Sequence, residues 1–204
     1  EFFKRQFTVD ERVLIPRPES EQLVAQAINY VRKYGIENPR IADVGTGSGA
    51  IAISIALEMP SAEVFATDIS SEALEVAHMN ARKLGAEVGF TKGNLLGTLQ
   101  GKFDIIVSNP PYIQSQIIKS LEPEVLREPR IALDGGPDGT KVIAPLLEEI
   151  QKKLKPGYSA AYVEIDPPIA DIALKIAQAK FSYAEVSILT DLAGLIRCIS
   201  IENS

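Results

Sequence analysis

The stretch "RIADVGTGSGAIAISIALE", residues 40–58, sets the architecture. "RIADV" (40–44) predicts a buried strand, and "AIAISIALE" (50–58) predicts a helix that Pro60 stops. Between them lies "GTGSG", whose glycines let the backbone turn sharply and bring N–H groups close to a ligand. A buried strand, a glycine turn and a helix, in that order, open a parallel α/β sheet.

The pattern continues on both sides. Upstream, "ESEQLVAQAINYVRKYG" (19–35) carries apolar residues at 23, 24, 27, 28 and 31, which is helical spacing. Ser20 is the expected N-cap and Gly35 the expected terminator. Downstream, strands are predicted at 62–68, 87–91 and 102–108, with a serine-capped helix over 70–85. The pattern then fades from Tyr112 to about residue 138, a length typical of functional loops. A helix (140–157), a strand (159–165), a helix (169–180) and two strands (182–189 and 195–202) complete the chain. The last two are joined by "TDLAG", short enough for an antiparallel hairpin. The expectation is an α/β fold with a mostly parallel sheet, helices on both faces and a C-terminal antiparallel hairpin.

Bulk properties narrow the function. At 204 residues the chain can bury a full core, and its single cysteine, Cys198, excludes an internal disulfide framework and points to a reducing, cytoplasmic setting. Cys198 reads as a small core residue and His78, the one histidine, as a helix-surface or core residue. The net charge is −6 and no Lys/Arg cluster stands out, which argues against direct nucleic-acid binding. No apolar run reaches the length of a membrane span. No metal site is expected, and a monomer is.

Asp68 stands at the end of the second predicted strand, 23 residues beyond Gly45. A carboxylate there can accept hydrogen bonds from both hydroxyls of a ribose, so the ligand of the loop contains adenosine. Gly45, Gly47 and Ala50 also satisfy a relaxed dinucleotide fingerprint, which keeps a nicotinamide cofactor open. Asp43, just before the loop, suits the cationic end of S-adenosylmethionine better than a pyrophosphate, and the terminal hairpin points the same way. A glycine-rich turn without a ligand is the bland alternative.

"IIVSNPPYIQ" (105–114) leaves an apolar strand for Asn109, two prolines and Tyr112. Two prolines remove two N–H donors, so neither strand nor helix continues. The Asn109 side-chain oxygen and the Pro110 carbonyl are acceptors, and together they can take both hydrogens of a planar NH2 group. Tyr112 can lay its ring against that group. This suits methyl transfer to an amide nitrogen, which gains positive charge as it attacks, a charge that fixed oxygens stabilise. The bland alternative is a proline-rich turn.

Five stretches together, "VLIPRPESEQLV", "IADVGTGSGAIAISIA", "DIIVSNPPYI", "EPRIALDGGPDG" and "DLAGLIRCISI", resemble the N5-glutamine methyltransferases of peptide chain release factors. The resemblance runs from about residue 2 to 202. It implies a class I S-adenosylmethionine-dependent methyltransferase fold with a seven-stranded sheet. Residues 1–38 would be the lead-in strand or loop and helix, and 39–204 the core, and the family's small N-terminal helical domain would be absent from these residues. The substrate would be the glutamine of a Gly-Gly-Gln tripeptide in a release factor, and the product S-adenosylhomocysteine. Asp43, Gly45, Thr46, Gly47, Ser48, Gly49, Asp68, Ile69, Asn94, Leu95 and Asn109 would hold the cofactor. Asn109, Pro110, Pro111 and Tyr112 would hold the glutamine amide, with Asn109, Pro110 and Tyr112 catalytic. Arg17, Pro18 and Glu19 would line the entrance, although Arg17 and Glu19 could equally form a surface ion pair. "NPPY" is shared with adenine-N6 DNA methyltransferases and ribosomal-protein glutamine methyltransferases, which stay as alternatives. Three positions depart from the family: Asn94 replaces an acid, Leu95 an aromatic, and Asp166 a glycine. If that glycine's φ is positive in relatives, the loop must differ here.

Overall fold

The computed structural model describes residues 1–191 and 193–203. Seven strands form one sheet in the order β3-β2-β1-β4-β5-β7-β6. In chain order the main elements are α1 (Glu21–Tyr34), β1 (Arg40–Val44), α2 (Ala50–Glu58), β2 (Glu63–Asp68), α3 (Ser71–Leu84), β3 (Gly89–Lys92) and β4 (Ile105–Ser108). There follow the single-turn α4 (Arg130–Leu133), then α5 (Ile143–Lys153), β5 (Ser159–Glu164), α6 (Ala170–Lys180), β6 (Glu185–Thr190) and β7 (Ile196–Asn203). The first five strands are parallel, and β7 runs antiparallel to both β5 and β6. The expected hairpin is present; its "TDLAG" turn includes Leu192, which lies outside the described residues.

The central strands are buried on both faces, as parallel strands covered by helices must be. Alternation divides their side chains between two apolar layers. Ile41, Ile105 and Tyr162 join Leu23, Val24 and Ile55 beneath α1 and α2. Ala42, Ile106 and Ala161 join Ile143, Leu147, Ala173 and Phe181 beneath α5 and α6. Cys198 is buried in the first layer, as read from its strand pattern. His78 is exposed on α3, edge-on to Phe90.

Helix ends follow the sequence at α3 and at the end of α1, whereas α5 is shorter than the expected 140–157 and the start of α1 differs. Ser70 caps α3, accepting from Ala73 N at 3.1 Å, and Gly35 ends α1 in the left-handed region at φ +61°. Ser20 precedes α1 but makes no side-chain cap bond. Its hydroxyl donates instead to Glu164 at 2.6 Å. Ser20 is itself in the helical region at φ −68° and ψ −14°, not the extended geometry from which a cap side chain accepts an N–H. Asp166 is extended at φ −101°, so this loop needs no glycine there.

Candidate active site

Strand order reverses between β1 and β4: the chain builds outward to β3 on one side and to β5 on the other. Open α/β sheets place ligands at the carboxyl ends of the strands at such a point. Val44 pairs with Ser108, so the glycine loop after β1 and Asn109 after β4 emerge side by side. The Ser108 hydroxyl donates to the Val44 carbonyl at 2.7 Å and locks the two exits together.

Gly45, Gly47 and Gly49 all have positive φ (74°, 56° and 81°), which a side chain would strain. A Cβ on Gly49 would also lie 2.9 Å from Ile53 Cδ1 and 3.1 Å from Ala77 Cβ, so α2 and α3 close on this residue. Asp43 is fully buried under the loop. Its Oδ2 accepts from the Thr46 hydroxyl at 2.6 Å and from Ala52 N at 3.2 Å, while Oδ1 has no partner among the described residues. Burial pushes its carboxyl up to about 7. Asp68 accepts from Gly47 N and Ser70 N, each at 2.9 Å, and burial raises its carboxyl above the usual range.

A cavity of about 180 Å³ opens above this loop. Gly45, Gly47, Asp68 and Ile69 form one side, and Asn94 and Leu95 another. Asn109, Pro110 and Pro111 close it. Asp43 beneath the loop, and Thr46, Ser48 and Gly49 within it, do not line the cavity. Val13 and Leu14 roof the cavity. The lead-in segment is held there by buried Asn80, which accepts from Thr8 N at 2.8 Å and donates to Thr8 O and Ser48 O at 2.9 Å.

A second cavity, of about 210 Å³, is lined by Arg17, Tyr112, Ile113, Leu121 and Val125. It shares Leu14, Asn109, Pro110 and Ala132 with the first. Asn109 and Pro110 are therefore a common wall. Among the described residues, neither the Asn109 side-chain oxygen nor the Pro110 carbonyl accepts a hydrogen bond from the protein. Pro18 and Glu19 line neither cavity. Arg17 and Glu19 do not pair: Arg17 bonds both oxygens of Glu128 at 2.8 and 2.9 Å, and Glu19 lies 3.6 Å from Arg197.

Sequence reasoning missed the residues that fix this wall. Glu164, 4% exposed at the end of β5, accepts from Ser20 at 2.6 Å and from the Tyr112 hydroxyl at 3.3 Å. Asn109 Nδ2 donates to Ser20 Oγ at 3.1 Å. Burial lifts Glu164 to about 7 against these hydrogen bonds, and burial also raises the Tyr112 phenol. Gly135 and Gly139 press on the Tyr112 backbone: a Cβ on either would come within 2.7 or 2.6 Å of it. Ile113 N and Gly135 N bond across this contact at 3.0 and 2.8 Å. The available signal was an acid closing the apolar run "SAAYVE" and the first and last glycines of "LDGGPDG".

A family model described as "Methyltransferase small domain" matches residues 22–148. A release factor glutamine methyltransferase of Deinococcus radiodurans is 46% identical over 160 residues, covering 78% of this chain and 56% of the relative. One of Rhodopirellula baltica is 40% identical over 212 residues, covering 100% of this chain and 71% of the relative. The crystal structure of a release-factor-specific protein-(glutamine-N5) methyltransferase from Alicyclobacillus acidocaldarius superposes with a TM-score of 0.59 at 27% identity, covering 97% of this chain and 99% of that one. The chain spans little more than half of the first relative's length. With its sheet order, its paired cavities and these similarities, the chain belongs to the release factor glutamine methyltransferase family.

Proposed function

We propose that this chain transfers a methyl group from S-adenosylmethionine to the side-chain amide nitrogen of a protein glutamine, that of the Gly-Gly-Gln tripeptide of a peptide chain release factor. One observation carries the reading. Two oxygens with no donor among the described residues, on Asn109 and Pro110, stand in the wall between two cavities. The family assignment favours a release factor over a ribosomal protein, an adenine base or a nicotinamide reaction.

The first cavity fits S-adenosylmethionine. Each Asp68 oxygen keeps a free lone pair beside the loop, where ribose hydroxyls can donate. Asn94 and Leu95 would flank the adenine, the amide oxygen of Asn94 standing in for a carboxylate. Asp43 would act on the cationic end from beneath the loop, with Thr46, Ser48 and Gly49 shaping the turn. Bound there, the cofactor supplies an electrophilic methyl group on a sulfonium.

The second cavity would admit the glutamine, with Arg17 at its side. Asn109 Oδ1 and the Pro110 carbonyl would accept the two amide hydrogens and turn the nitrogen toward the shared wall. Tyr112 would cover the amide plane, with Pro111 behind. As the nitrogen gains charge in the transition state, the two oxygens stabilise it without reorganising. Its proton leaves to solvent after the bond to carbon forms, so no base is required. Incubation with radiolabelled S-adenosylmethionine and a release factor tests this. Label on the Gly-Gly-Gln glutamine is expected, and its absence overturns the proposal.

A further inference from the structure

Asn109 can work only if its oxygen, not its NH2, faces the acceptor amide. The two ends of an asparagine amide have nearly the same shape, so packing alone does not choose between them. Something chemical must. We propose that Glu164 is a positioning residue that sets the direction of the Asn109 amide through Ser20, while its second oxygen holds Tyr112. This rests on the reading of Asn109 as the glutamine ligand.

The geometry gives a one-way relay. Above pH about 7 Glu164 is ionised, and an ionised carboxylate only accepts. Ser20, itself 3% exposed, must therefore spend its single hydrogen on Glu164, at 2.6 Å. Its oxygen is left with lone pairs only, and these can face only a donor. The donor in reach is Asn109 Nδ2, at 3.1 Å. The asparagine oxygen is thereby turned the other way. Tyr112 donates to the remaining Glu164 oxygen at 3.3 Å, so one carboxylate orders both ends of the acceptor site. The three come from distant parts of the chain, but β4 and β5 are in register, with Ser108 beside Val163. Asn109 and Glu164 thus follow at neighbouring strand ends.

Burial of an acid without a cation bonded to it costs stability, and Arg197, the nearby guanidinium, bonds Asp191 at 2.8 Å instead. A glutamine at 164 would fill the same space without that cost. It would also break the relay, because its NH2 could donate to Ser20, free the hydroxyl hydrogen and let Asn109 flip. A flipped Asn109 presents NH2 to NH2.

The test uses S20A and E164Q in the whole chain. The first readout needs no turnover: hydrogen exchange of the Asn109 side-chain NH2, followed by NMR. Exchange at least about tenfold faster in both variants is expected, since the Nδ2 hydrogen bond is lost or shared; unchanged exchange overturns the proposal. The second readout is methylation of a Gly-Gly-Gln peptide. The turnover number should fall by about 10- to 100-fold in each variant, as for other misplaced groups. S-adenosylhomocysteine affinity should stay near wild type, and the double variant should be no slower than the slower single one. Turnover within twofold of wild type overturns the proposal, as does loss of cofactor affinity in parallel with turnover. A wild-type chain that leaves the peptide unmethylated refutes the functional reading instead, and the exchange rates still decide the relay.

Discussion

On one side of the Asn109–Pro110 wall, the loop after β1 is shaped within residues 43–80: three positive-φ glycines within five residues, an acid just before them, and Asp68 and Asn80 bonding Gly47 N and Ser48 O from the next strand and helix. On the other side, Tyr112 and Asn109 are held by residues far away in sequence, at 20, 135, 139 and 164. On the proposed function, the contrast teaches that a cofactor cradle can be built from one stretch of chain, whereas an acceptor site for a protein side chain is assembled from the whole fold. A local loop tolerates change elsewhere; an assembled site does not.

That contrast can be broken by asking each side to fail alone. The largest effect is expected for Asn109→Ala. Turnover on a Gly-Gly-Gln peptide should fall by about 10²–10³-fold, the usual loss for one preorganised charge-stabilising group. Calorimetric affinity for S-adenosylhomocysteine should move much less, and a matching collapse would show that Asn109 serves the cofactor first.

Asp68→Asn makes the reciprocal cut. Losing a charged acceptor costs about 1.5–3 kcal/mol, which is a roughly 10- to 100-fold loss of cofactor affinity by calorimetry. Peptide affinity should be spared.

Glycine replacements sharpen the comparison through stability. Gly139→Ala combines φ +82° with a Cβ 2.6 Å from the Tyr112 carbonyl oxygen, and should cost about 1–3 kcal/mol in urea unfolding. Gly45→Ala has φ +74° but open space around its Cβ, so the backbone penalty of about 1–2 kcal/mol stands alone. Equal losses for the two would mean that contact with Tyr112 adds nothing. The smallest effect is expected for Glu19→Gln: its distance of 3.6 Å from Arg197 at the surface contributes less than about 1 kcal/mol, and peptide turnover should be unchanged within about twofold.

Most of the architecture was readable in the sequence because a parallel sheet writes itself in local terms. Strands buried on both faces are continuous apolar runs, and α3 carries its own caps at Ser70 and Gly85. The cradle was readable for the same reason, with Gly45, Gly47 and Asp68 at the expected exits. The acceptor side was readable only where covalent chemistry betrayed it, at the two prolines. Ser20 looked like a helix cap because its sequence neighbours are those of a cap; its partner, Glu164, is 144 residues away. Arg17 and Glu19 looked like partners because they are close in sequence, yet Glu128 and Arg197 take them. Pairing across such distances depends on strand register, which no local pattern encodes.

The shared wall also constrains how such an enzyme could be retuned. Residues that face both chambers, Leu14, Asn109, Pro110 and Ala132, cannot be altered to admit a different acceptor without disturbing the nucleoside side as well. Leu121 and Val125 border the outer chamber alone. On the proposed function, substrate range is therefore open to redesign from that far side, where a bulkier or smaller apolar group would reshape the entrance and leave the other chamber untouched.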